Sequence, residues 1–234
     1  MTKKLEAPLN ARRDAGITLV KVALGLVPVA GSALAEMAGY AESQLNRRQQ
    51  EWMVHVSEAI NKLQSQSGLT VEELMRDEAF TSFLLQATPI ALRNHQREKV
   101  VCLKHALTSV GHPDFSDEDV AFQFLRYIDE LTVSHLKILR IIWTHQEEFK
   151  DVTTMQRAFE QLGFAASTGG SPVIIRAFLR DLDARSLVSA SDLEDLPEFE
   201  SKAVYIAAEQ SERHPLQLTE FGTRFLTFIA SRDS

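Results

Sequence analysis

His95, Cys102, His105 and His112 run as His-x6-Cys-x2-His-x6-His, and imidazole and thiolate are the ligands zinc prefers. A tetrahedral site normally closes two short-spaced ligand pairs drawn from two different elements. Here Cys102 and His105 are three apart and share one helical face, while His95 lies two turns earlier and His112 past the helix end. The pattern reads as a buried cysteine among surface histidines. A second set is Arg176, Arg180 and Arg185, guanidinium groups of the kind that grip phosphates and base edges, but Asp181 and Asp183 lie among them. The Thr168-Gly169-Gly170-Ser171 turn lacks the pattern of a phosphate-cradling loop. No Gly-x-Ser-x-Gly, His-Glu-x-x-His, Cys-x-x-Cys or dinucleotide fingerprint occurs. A non-enzymatic chain without metal or cofactor is expected.

Charge narrows the partners. Of 234 residues, 44% are hydrophobic and 24% charged, as in ordinary globular proteins. The net charge of −7 is unevenly spread: residues 129–234 hold 11 Lys and Arg against 17 Asp and Glu. Duplex binding draws its affinity from neutralised phosphates, so an acidic C-terminal part argues for a protein partner ahead of nucleic acid. A single cysteine, Cys102, excludes an internal disulfide and points to a reducing, cytoplasmic setting.

These residues must be held by elements that the sequence also outlines. Between Asp14 and Glu36 only Lys21 is charged. Three readings fit, in this order: a buried helical hairpin turning at Val27-Pro28, a membrane-active hairpin, and a cleaved signal segment ending at Ala33–Ala35. Lys21, Leu24, Pro28 and Gly31 are the residues on which the membrane reading rests. It would place the protein at the periphery of the inner membrane.

A helix is predicted from Leu34 to Leu63, with an apolar stripe of Trp52, Met53, Val56, Ile60 and Leu63. Arg47 and Arg48 on it suit a solvated face better than a phosphate or lipid site. Ser67-Gly68 breaks the helix and Thr70–Glu73 is a capping box. The next helix is expected to reach Gln86, another to start at Thr88-Pro89 and run to Val110, and a third to open on Ser116 as N-cap, burying Phe122, Leu125, Ile128 and Leu131.

The last third has the order of a winged helix-turn-helix. Helices are predicted at Val133–Phe149 (core Leu136, Leu139, Ile142 and Trp143), Val152–Leu162 and Pro172–Leu187, the last with Ile174, Ala177, Phe178, Leu179 and Leu182 inward. An acidic insertion, a β-like run at Lys202–Ala208 and the phrase Leu218-Thr219-x-x-Gly222-x-x-Phe225-Leu226 follow. The insertion's Asp192, Glu194, Asp195, Glu198 and Glu200 would repel DNA where a wing meets it. The expected fold is mainly α: an N-terminal helical hairpin and bundle over 1–128, then a winged-helix-like domain with a short β-wing over 129–234.

Three phrases, Pro28–Glu36, Glu98-Lys99 and Asp129–Leu136, give the chain a resemblance to uncharacterised bacterial helical proteins with a winged-helix end. The layout is also similar to the abortive-infection alpha family of phage-defence proteins. The resemblance implies a defence role and carries over no functional residue. The expected function is an interaction or regulatory protein that binds a protein partner through the winged-helix-like domain, with self-association open. A membrane-acting effector and a DNA-binding regulator using Arg176, Arg180 and Arg185 are the alternatives.

Overall fold

A computed structural model describes residues 32–152, 157, 158, 160–162, 172–190 and 215–230 of the chain. Lys21, Leu24, Pro28 and Gly31, the acidic insertion, the Lys202–Ala208 run and the Thr168–Ser171 turn lie outside the described residues. The chain is mainly α and divides into two compact units. One ends at Glu130 and takes up the chain again from Phe228; the other is Leu131–Thr227.

The first unit is built from helices α1 (Ser32–Ser67), α2 (Val71–Arg76), α3 (Glu78–Arg93), α4 (Arg97–Val110) and α5 (Glu118–Glu130). Trp52, Val56, Ala59, Ile60 and Leu63 of α1 are buried at helical spacing, with Met53 at the edge of the stripe. The Trp52 indole donates to Thr88 Oγ1 at 3.1 Å, which satisfies its polar end inside the core. Gly68 closes α1 at φ +69°, a left-handed conformation that glycine adopts without steric cost. The Thr70–Glu73 capping box then opens α2.

Three boundaries differ from the sequence expectation. Asp77 separates α2 from α3 by accepting from the Phe80 amide at 3.0 Å, so one expected helix becomes two. Pro89 sits inside α3 instead of starting a helix. It removes the amide that would bond the Leu85 carbonyl, yet Leu85 is 41% exposed, so water reaches that side of the helix. Asn94, whose side chain bonds the Ile90 carbonyl at 3.0 Å, ends the helix instead. Asp117, not Ser116, caps α5, accepting from the Val120 amide at 3.3 Å. On α5, Phe124 is buried alongside Leu125 and Ile128, while Phe122 is only partly so.

Polar ties fix the helix ends. Arg48 of α1 donates to the Leu92 carbonyl at 3.1 Å, capping the C-terminus of α3, while Arg47 pairs with Glu51 in the open. Lys99 is 5% exposed and donates to the Asp129 carbonyl at 2.7 Å, and Arg93 pairs with the Asp129 carboxylate. Burial holds the Lys99 ammonium below its ordinary 10.5, against the opposing pull of Asp129. Phe228 completes this core, its ring 6.0 Å from Phe83, 5.7 Å from Phe115 and 5.3 Å from Phe124.

The second unit holds α6 (Val133–Thr144), α7 (Gln146–Phe149), a helical stretch at 157–158 and 160–162, α8 (Pro172–Ala184), strands β1 (Val188–Ser189) and β2 (Gln217–Leu218), and α9 (Glu220–Ile229), whose last two residues count with the first unit. The expected single helix Val133–Phe149 is interrupted at His145, whose ring bonds the Ile141 carbonyl at 3.1 Å and ends α6. Ile138 and His135 join Leu136, Leu139 and Ile142 in the α6 core, and Trp143 is only partly buried. β1 and β2 pair antiparallel, Val188 opposite Leu218 and Ser189 opposite Gln217.

Candidate partner-binding face

Helix α8 carries more apolar residues than one face can bury. Its inward row is Ile175, Leu179 and Leu182, all 1% exposed or less. The inward set expected from the sequence included Ile174 and Ala177, and both lie outside. The helix is rotated so that Val173 is 70% and Ile174 48% exposed. Ala177, Arg180 and Ala184 are exposed with them, and the spacing Val173–Ala177–Arg180–Ala184 runs straight along the outer side of an α-helix.

Two contacts accompany that rotation. His135, the third residue of α6, is buried and completes a capping box: Thr132 donates to its Nδ1 from the backbone amide at 3.2 Å. Its Nε2 lies 3.4 Å from the Asp181 carboxylate of α8, and its ring centre 4.3 Å from that of Phe178. At the far end of α8, the Asp183 carboxylate accepts from the Ala190 amide at 2.8 Å, fastening the helix to the residue after β1.

The three arginines do not form a common row. Arg180 is exposed on the outer side, Arg176 is half-buried on the flank, and Arg185 bonds Asp181 at 3.2 Å within the same helix. The exposed surface of α8 is thus an apolar strip with one outward cation, Arg180.

The histidine–cysteine series stays dispersed. His95 is exposed, Cys102 is buried, His105 bonds the Ile229 carbonyl at 3.0 Å, and His112 faces Asp114. Among the described residues no three of His, Cys, Asp or Glu are placed to hold a metal ion. A cleft between Phe83, Phe115 and Phe122 encloses about 110 Å³, below the roughly 300 Å³ at which small-molecule sites begin. Among the described residues no helix is long and apolar enough to cross a membrane.

Comparison of the chain with protein-family models, with curated proteins and with solved structures finds no match. The site reading therefore stands on geometry.

His135 is the residue that sequence reasoning passed over. Its signal was present in Thr132-Val133-Ser134-His135, a capping box with histidine in the place usually taken by Glu or Gln. The link from that cap to Asp181 spans 46 positions of chain, and no local pattern announces it.

Proposed function

We propose that the chain is a non-enzymatic interaction protein whose second unit is a winged-helix-like module that binds a protein partner through the outer side of α8. The observation that carries this reading is the exposure of Val173 and Ile174 on a helix whose arginines are largely turned aside. Large apolar side chains grouped on a rigid helix mark protein-contact surfaces. A helix that reads duplex DNA would present its cations instead. The helix–strand–strand–helix order of the second unit and the acidic balance of residues 129–234 support the same reading. The resemblance noted from sequence makes phage defence the setting in which such a module would act.

Two measurements test it. A photo-activated cross-linker at position 173 should give protein adducts in cells, whereas one at exposed Arg140 should not. Anisotropy titrations with random-sequence duplex DNA should show no strong salt-dependent binding. Tight binding that weakens steeply with salt, together with an absence of adducts at position 173, overturns the proposal in favour of a DNA-binding regulator.

A further inference from the structure

We propose that the first unit carries a docking cleft for one arginine side chain, presented by a peptide segment of a partner protein. The cleft lies wholly within that unit and is independent of the binding face on α8. Its walls are the Phe83, Phe115 and Phe122 rings with Val110, and the exposed Asp77 and Glu118 form its solvent edge. Phe122 is the apolar residue that α5 leaves half-buried, its ring 6.1 Å from that of Phe83. The volume is about 110 Å³. At roughly 10–15 Å³ for each atom of water size, such a space takes roughly seven to eleven heavy atoms, the size of one long side chain.

Charge and shape select the occupant. Segments 76–79 and 110–122 supply all of the lining but Phe83, and they hold six carboxylates against a single arginine, Arg76. Glu118 has no partner among the described residues, and Asp77 lends one oxygen to the Phe80 amide and keeps the other free. A neutral occupant leaves these charges unmatched, and an acidic one is repelled. An arginine lays its stem along apolar surface while its charge stays at the wet edge. Its flat, weakly hydrated guanidinium also stacks on aromatic rings and forks toward carboxylates, which a lysine ammonium does less well. The lining holds no cation to receive the α-carboxylate of free arginine. The side chain therefore arrives on a peptide, where that group is an amide.

The probes are acetyl-Ala-Ala-Arg-Ala-Ala-amide and the same peptide with citrulline, a neutral isostere, in place of arginine. Titrated into the isotope-labelled full chain, the arginine peptide should shift the amide resonances of Val110 and of residues 115–122. The shifts should saturate with a dissociation constant on the order of 1 mM, as for a single anchor. The citrulline peptide and free arginine should each bind at least about tenfold more weakly. Glu118→Lys should abolish the shifts, and Glu118→Gln, which keeps the shape of the side chain, should weaken binding severalfold. Glu148→Lys, an exposed change in the other unit, should leave binding unaltered. These side chains are on the surface, and an otherwise unchanged spectrum of each free variant shows its fold intact. Shifts that never saturate, that spread over the acidic surface of both units, or that survive Glu118→Lys overturn the proposal. Equal binding of the citrulline peptide overturns it too, leaving an apolar cleft that reads no charge.

Discussion

Gly222 of α9 lies directly against the backbone of Leu187: a Cβ built on it would come within 1.9 Å of the Leu187 carbonyl oxygen. Thr219 secures this approach. Its amide donates to that carbonyl at 3.3 Å, its hydroxyl donates to the Ser186 carbonyl, and the hydroxyl oxygen accepts from the Gly222 amide at 2.8 Å. The Leu-Thr-x-x-Gly-x-x-Phe-Leu phrase thus has a physical content. Thr219 caps the helix, Gly222 lets it touch the chain leaving α8, and Phe225 and Leu226 fill the core beneath.

Gly222→Ala should cost about 3 kcal/mol or more, because the obstacle is backbone and cannot rotate away. Gly111→Ala should cost less, about 1–3 kcal/mol: its Cβ would meet the Leu63 side chain at 2.5 Å and the Phe80 ring at 2.9 Å. Urea denaturation of both variants checks the ranking, which would be reversed if the α9 contact could open without loss.

Arg48→Ala should destabilise the first unit by about 1 kcal/mol, the worth of a charge-assisted bond to a helix C-terminus. Arg47→Ala should do nothing measurable, since the Arg47–Glu51 pair is exposed. Equal effects in chemical denaturation would contradict the capping role of Arg48.

Acid should act through Glu58. Burial pushes its carboxyl up, but hydrogen bonds from Lys104 and His55 outweigh this and hold it below the ordinary 4.5. A carboxyl depressed in the folded state contributes stability above pH 4.5 that is lost as pH falls through the folded value. Glu58→Gln should flatten the acid side of the stability profile, measured by denaturation at stepped pH.

Alkali should act through Lys99 with the opposite history. Because burial depresses its ammonium in the folded state, the unfolded chain binds more protons just below pH 10.5, and stability gains from this group as pH rises toward that value. Subtracting the profile of Lys99→Met from that of the natural chain should isolate this rise. A flat difference would show that Lys99 stays charged without penalty.

The parts legible in the sequence are those decided within one turn of chain. The Thr70–Glu73 box, the break at Gly68 and the stop after Val110 each depend on neighbours three or four positions away, and the structure has all three. Thr88-Pro89 misleads for the same reason. As a local signal it marks a helix start, but the surrounding fold continues α3 through it, with Thr88 Oγ1 bonding the Leu84 carbonyl at 2.7 Å and Pro89 on the exposed side. The rotation of α8 was illegible because Val173, Ile174, Ile175, Ala177 and Phe178 fit several inward stripes. In the structure α8 meets His135 and Ala190, one far away in sequence and the other beyond the helix end.

Phe228 has a consequence for the order in which the molecule can be made. Its ring is shared among Phe83, Phe115 and Phe124, and its carbonyl accepts from the Ser109 hydroxyl at 3.0 Å. All of those partners leave the ribosome 104 to 145 residues before it does. The first unit can gather its own helices during synthesis, but the aromatic centre stays unfilled until the whole second unit has been translated. Completion of the first unit therefore waits on translation of the second, and a chain stalled between Glu130 and Phe228 would present that vacant aromatic socket to the cell.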